Sequence, residues 1–245
     1  MSNKLPEQKP IETMSDFWDK TTWRDSYYET LLSMTPNQLT VAQTAEREYC
    51  EFERDAVARI VGRARRIADL GCGTGRATAH HVEQHTDKFF LGVDLSGLQL
   101  EKYRLRLSNE ALSRISFVEA PIAHIPNSEP MVDAALFCNH TFGAIIGNER
   151  SDTLALLGRL MRTGGELLIA GFTNLALAPD CYTNWGMNLV SIDADTGLIE
   201  LAKHYSLWEP AASVSDQLLQ FGFALTEQTD FSLGYIQVYS RLNDG

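Results

Sequence analysis

The sequence predicts an α/β protein: a doubly wound, mostly parallel sheet of seven strands with helices on both faces. Three observations carry this expectation. Short apolar runs of strand length alternate with longer segments of helical period from Arg65 onward. The first of these runs leads directly into a glycine-rich turn. The chain has 245 residues, enough for one well-buried core and short for two.

Residues 1–15 are polar and read as loose. Aromatic residues cluster between Asp16 and Leu32 (Phe17, Trp18, Trp23, Tyr27, Tyr28), and Thr35-Pro36-Asn37 breaks the chain. A helix is predicted from about Gln38 to Val61, with Ala45, Tyr49, Phe52, Ala56 and Ile60 at three- and four-residue spacing. Ile67–Leu70 reads as the first strand, with a helix from about Arg76 after the glycines. Phe89–Val93 is the second strand, followed by a helix over Gly97–Leu107. Ile115–Glu119 and Met131–Cys138 are the third and fourth. A helix over Asp152–Met161 passes through Thr163-Gly164-Gly165 into a fifth strand, Glu166–Ala170. Helices between short buried strands require crossovers, and crossovers make neighbouring strands parallel. After Gly171 the pattern changes. Met187–Ile192 and Leu198–Tyr205 flank the turn Asp193–Gly197, as strands of a separate unit. A helix over Val214–Phe221 precedes Phe223–Thr226 and a terminal strand, Tyr235–Ser240. The organisation expected is therefore an N-terminal aromatic lid segment over 1–37 and one domain over 38–245, carrying an insert at about 172–213.

Composition narrows the function classes. Hydrophobic residues make up 44% and charged residues 22%, an ordinary globular mix. There is no run of about eighteen apolar residues, and the polar start lacks the core of a signal peptide, so a cytoplasmic protein is expected. Cys50, Cys72, Cys138 and Cys181 form no CxxC pair, which fits reduced thiols and no metal centre. A net charge of −11 argues against nucleic acid as partner, because phosphate binding needs a basic surface. The densest basic stretch, Arg59 to Arg66, is short and reads as a helix end. His81 and His85 stand i, i+4, but with no third ligand they read as solvated helix residues. The sequence leaves monomer and homodimer equally open.

The chemistry concentrates in Asp69-Leu70-Gly71-Cys72-Gly73-Thr74-Gly75. Three glycines in five residues let the backbone turn tightly and let a ligand approach it. Asp94, ending the next strand, is placed to accept both hydroxyls of a ribose. A dinucleotide turn needs a small residue where this chain has Arg76. Asp69 would repel a pyrophosphate but can hold an ammonium group. S-Adenosylmethionine satisfies these demands, and a nicotinamide cofactor satisfies them poorly.

Asp69–Gly75 followed by Gly92-Val93-Asp94-Leu95-Ser96 resembles the class I S-adenosylmethionine-dependent methyltransferases, which have a Rossmann-like sheet. Met131–Phe137, Leu160–Leu167 and Leu218–Phe223 extend the resemblance along most of the chain. It implies that Asp69 and the turn from Gly71 through Cys72, Gly73 and Thr74 to Gly75 hold the methionine end. Asp94 would bind the ribose, Leu95 would pack on the adenine, and Ala120, Pro121 and Ile122 would line its edge. The Gly-Asp common in that last loop is Ala120-Pro121 here, so the adenine amino group is left to backbone or to Glu119.

Cys138-Asn139-His140-Thr141-Phe142-Gly143 ends the fourth strand and resembles the Asn-x-x-Phe-Gly stretch of small-molecule members, between cofactor and acceptor. Cys138, Asn139 and Phe142 are accordingly expected at the cofactor, and His140 is the candidate general base and acceptor contact. Aromatic side chains are expected to enclose the acceptor, with Tyr28, Tyr182, Trp185, His204 and Trp208 as candidates. The implied activity is methylation of a small molecule on nitrogen or oxygen, achieved mainly by alignment. The alternative is a non-catalytic sensor or assembly partner that binds the same cofactor.

Overall fold

The computed structural model describes residues 6–19, 24–126 and 131–243. Trp23 of the aromatic N-terminus lies outside the described residues.

Helices α1 (Ile11–Asp19), α2 (Arg24–Ser33) and α3 (Val41–Arg63) precede the sheet. The expectation of a loose start is corrected from residue 11 on. Phe17 and Trp18 of α1 pack onto the core, and such burial offsets the cost of ordering a short helix. Thr40 starts α3 with a reciprocal cap: its hydroxyl accepts from Gln43 N–H at 3.2 Å, and Gln43 Oε1 accepts from Thr40 N–H at 3.0 Å. Along α3 the buried stripe includes Glu46 and Glu53, each 1% exposed, whereas Phe52 is 40% exposed and stacks on Phe231 instead.

The chain then alternates through β1 (Arg66–Leu70), α4 (Ala79–Gln84), β2 (Phe89–Asp94), α5 (Gly97–Leu105), α6 (Asn109–Leu112), β3 (Ile115–Glu119) and β4 (Val132–Phe137). It continues through α7 (Gly147–Leu160), β5 (Met161–Phe172), α8 (Ala178–Asn184), β6 (Leu189–Asp193), β7 (Leu198–Leu201) and β8 (Tyr205–Leu207). Helix α9 (Ala211–Gln220) and strands β9 (Phe223–Asp230) and β10 (Gly234–Arg241) close it. The main sheet has seven strands in the order β3-β2-β1-β4-β5-β10-β9. The first five are parallel, and β10 runs antiparallel to both of its neighbours. Order reverses between β1 and β4, which opens a crevice above their carboxyl ends.

The helix after the glycine turn begins at Ala79 rather than Arg76, because Gly75 accepts from Thr78 and Ala79 and closes a turn first. Between β5 and α9 the chain forms α8 and a second, three-stranded antiparallel sheet, β6-β7-β8. The sequence pattern indicated only two of those strands and no helix there. One apolar layer packs between α3, α5 and the sheet, and a second lies beneath α7 and α9. Among the described residues no helix is long and apolar enough to cross a membrane.

Candidate active site

The glycine turn is fixed to its neighbouring strand. Gly71 and Cys72 both donate to the carbonyl of Val93, at 2.8 and 2.9 Å. A side chain at Gly71, whose φ is +74°, would stand 2.3 Å from Thr141, so only glycine lets the β1 turn and the β4 turn close on each other. Asp94 ties the turns together: Oδ2 accepts from Gly73 N–H at 2.8 Å and Oδ1 from Ser96 N–H at 2.9 Å. Burial raises the pKa of Asp94 above the ordinary carboxylate range, against those backbone donors.

Asp69 is 3% exposed and lines the same cavity. Its Oδ2 accepts from the Thr78 hydroxyl, while Oδ1 has no hydrogen-bond partner in the protein. Burial pushes its pKa up to about 7, with Thr78 and Arg76 opposing and Glu53 and Asp94 adding to the rise. A buried carboxylate oxygen without a donor is costly unless a ligand supplies one.

The cavity encloses about 1380 Å³, counting the open space at its mouth. Asp69, Gly71, Cys72, Gly73, Thr74, Asp94, Leu95, Ala120, Pro121, Ile122, Cys138 and Asn139, the cofactor candidates of the sequence, line it. So do Tyr28, His140, Tyr182, Trp185 and His204. Four candidates stand off the wall. Gly75 is absent from the wall because it is packed under Tyr103, whose ring would lie 2.3 Å from any side chain there. Phe142 turns into the core, 5.3 Å from Phe137, with the Arg150 guanidinium over its ring at 4.2 Å. Trp208 stands behind the wall, 5.1 Å from Phe172, with its indole N–H on the Tyr182 hydroxyl at 3.0 Å. Glu119 does not reach the cavity; its carboxylate lies against Gly97.

Asn139 and His140 are the non-glycine residues with positive φ among those described, at 51° and 60°. Two such residues in succession need outside support, and the surroundings supply it. Glu53 accepts from Asn139 N–H at 2.6 Å. Asn139 Oδ1 accepts from the Tyr28 hydroxyl at 2.8 Å. His140 stacks on Phe172 with ring centres 4.6 Å apart, and its Nδ1 accepts from Phe172 N–H at 3.0 Å. That bond leaves the proton of the neutral ring on Nε2.

Sequence reasoning missed the two carboxylates behind this wall. Glu53 binds the Tyr49 hydroxyl, the Arg76 guanidinium and the Asn139 turn together. About two helical turns earlier (seven residues apart, so on nearly the same face), Glu46 accepts from Tyr27, Asn184 and the Trp185 indole at 2.7, 3.1 and 2.9 Å. Their heptad spacing on an otherwise apolar stripe was the available signal. Also missed were Met14, Gln99, Glu149, Met187 and Ser206, all on the wall. His81, expected to be solvated, is 5% exposed with neither ring nitrogen bonded, and burial takes its pKa down to about 4.

Helix α1 covers one side of the cavity. Gln99 Nε2 donates to Trp18 O at 2.6 Å, and Phe17 and Trp18 meet the His204 ring at 4.7 and 5.1 Å. Gln8 bridges the turn after β4 and β8, donating to Ala144 O at 2.7 Å and accepting from Tyr205 N–H at 3.1 Å.

The residues present suit an amino-acid-bearing nucleoside: a buried carboxylate with one oxygen left without a donor, a glycine turn open to the cavity, and a second carboxylate at the end of β2. Comparison with known proteins agrees. A family described as a methyltransferase domain matches residues 67–165. The demethylmenaquinone methyltransferase of Renibacterium salmoninarum is 22% identical over 253 residues, covering 100% of this chain and 98% of that protein. A trans-aconitate 2-methyltransferase of Rhodopseudomonas palustris is 32% identical over 146 residues, and the match spans 55% of this chain and 52% of that protein. In structure, the 1,6-didemethyltoxoflavin N1-methyltransferase of Burkholderia thailandensis, solved with its acceptor and S-adenosylhomocysteine, aligns with a TM-score of 0.59 at 18% identity, over 80% of this chain and 79% of that one. Magnesium protoporphyrin IX methyltransferase from Synechocystis aligns at 0.60 with 16% identity, over 92% and 96%. Residues 67–165 thus match a methyltransferase-domain family, and the chain shares the fold of these methyltransferases of known structure.

Proposed function

We propose that this chain binds S-adenosylmethionine at the glycine-turn end of the cavity and methylates a nitrogen or oxygen of a small molecule held at the aromatic end. The observation that carries the reading is the continuity of one cavity from the partnerless Asp69 carboxylate oxygen to the aromatic wall. When bound, the cofactor's sulfonium supplies an electrophilic methyl group. Asp69 would hold the ammonium of its methionine moiety, with the backbone of Gly71 and Gly73 beside it. Asp94 would receive the ribose hydroxyls, and Leu95 and Ala120–Ile122 would enclose the adenine. Glu149, a carboxylate on that wall with its pKa lifted by burial against nearby His124, would meet the adenine amino group in place of the missing family carboxylate.

His140 enters this reading as a positioning residue and not as the general base. With Nδ1 already accepting from Phe172 N–H, the neutral ring has its proton on Nε2 and no second lone pair to take one. An amine acceptor would lose its own proton to solvent before it binds, so no base is required. Rate then comes from alignment and from exclusion of water. Helix α1 and the segment between β5 and α9 would act together as the cover, meeting at Phe17, Trp18 and His204.

Incubation with methyl-labelled cofactor and fractionated small metabolites, beside Asp94→Ala, tests this. Label entering one fraction only with the intact protein supports transfer. Tight binding of S-adenosylhomocysteine with no labelled product from any fraction would favour a sensor.

A further inference from the structure

Resting on that reading, we infer that the acceptor is a planar aromatic or heteroaromatic compound, uncharged or cationic, and not a carboxylate-rich acid.

The first observation is charge. Among the described residues lining the cavity, Asp69, Asp94 and Glu149 are acidic, and Arg76 is the one Lys or Arg. Arg76 is not available to a carboxylate ligand, because its guanidinium is ion-paired with buried Glu53 and lies over the Tyr28 ring, 5.0 Å from the centroid. An anionic acceptor would therefore lose its hydration and gain no cation, a combination that proteins avoid.

The second observation is how the aromatic wall is held. Rings that merely cover a core need no fixed orientation about their polar edges. Here two of the large rings on the wall, Trp185 and Tyr182, are held by their polar edges. Trp185 N–H is bound to buried Glu46, and the Tyr182 oxygen is bound by Trp208 N–H. The rings brace one another, with Tyr182–Trp185 centres at 5.2 Å and Phe172–Trp185 at 5.7 Å. Fixed ring faces lower the ordering cost of binding a flat ligand and attract a cation electrostatically. His140 stacks on Phe172 at an interplanar angle of 16°, which fixes a further ring beside the same slot.

The test uses the full chain saturated with S-adenosylhomocysteine, with that binding confirmed by calorimetry. 4-Aminoquinoline and trans-aconitate are then titrated in turn. The expected result is saturable binding of 4-aminoquinoline, weakened by about tenfold or more in Trp185→Leu or Tyr182→Leu, while S-adenosylhomocysteine affinity stays within about twofold. Trans-aconitate is expected not to bind. Saturable binding of trans-aconitate overturns the inference. So does absence of 4-aminoquinoline binding in cofactor-competent protein, or unchanged affinity in both variants. Failure to bind S-adenosylhomocysteine at all would instead remove the reading beneath it.

Discussion

Cofactor affinity should fall with acidity because of one side chain. Asp69 is pushed to about 7 by burial, and it must be ionised to hold an ammonium group. The groups acting on it are Thr78 and Arg76, which favour the charged form, and Glu53 and Asp94, which oppose it. If only the carboxylate form binds, the apparent Kd of S-adenosylhomocysteine is multiplied by one plus ten to the power of seven minus pH. That factor is about 1.1 at pH 8, about 2 at pH 7 and about 11 at pH 6. Between pH 8 and pH 6 the affinity should drop about tenfold, or about 1.4 kcal/mol. The ligand's own ammonium stays protonated throughout, so the slope belongs to the protein. Calorimetric titrations at the three pH values, in buffers of different ionisation enthalpy, measure both affinity and proton release. About 0.9 proton should leave per ligand bound at pH 6 and about 0.1 at pH 8. Asp69→Asn should bind weakly at every pH, with no slope. A flat affinity from pH 6 to 8, or binding without proton release at pH 6, refutes the assignment.

Three further outcomes are expected. Glu53→Gln leaves Arg76 without its charge partner and loosens the Asn139 turn, so stability in urea should fall by about 3 kcal/mol, and a loss under about 1 kcal/mol would contradict the role given to the pair. Glu149→Gln should weaken S-adenosylhomocysteine about tenfold but leave its deaminated analogue S-inosylhomocysteine unchanged; equal effects on both would place Glu149 away from the adenine amino group. His81 has a folded pKa of about 4, below its unfolded value near 6.5, so the unfolded chain binds more protons in that window and stability is lost as pH falls from about 6.5 toward 4. His81→Leu should therefore melt higher than the wild type at pH 5 by more than it does at pH 7.5, and an equal difference at both would show that the ring titrates normally.

The parallel sheet was legible because its strands are short apolar runs between helical periods, and five parallel strands fall where those runs lie. The cofactor end of the cavity was legible because backbone geometry restricts it: few residues besides glycine tolerate the φ of Gly71, and a carboxylate must end β2. Where side chains can choose between directions, the sequence was a weaker guide. Phe142 and Trp208 stand in the expected segments, yet Arg150 draws one into the core and Tyr182 holds the other behind the wall. Glu119 adjoins the proposed adenine edge in sequence and Glu149 does not, yet the packing of α7 against the turn at Ile122–His124 brings Glu149, not Glu119, to the cavity. The helix α8 and strand β8 escaped notice because each is short and stabilised by tertiary packing rather than by its own period.

Helix α3 explains why the two ends of the cavity can differ so much in character. It lies outside the parallel sheet's alternating units, packed along β4, β5 and β10, and its buried carboxylates face two directions of use. Glu53 neutralises Arg76 and supports the left-handed turn that presents His140. Glu46 anchors Tyr27 of α2 and Trp185 after α8, two segments far apart in the chain that border the aromatic end. Two acidic residues seven positions apart thus remove the available cation from the cavity and fix its rings. A flat ligand without negative charge is what such an arrangement can retain, while the glycine turn, fixed independently through Val93 and Asp94, is left to hold the cofactor. Acceptor choice in this protein therefore depends on a helix that contributes no side chain to the cavity wall.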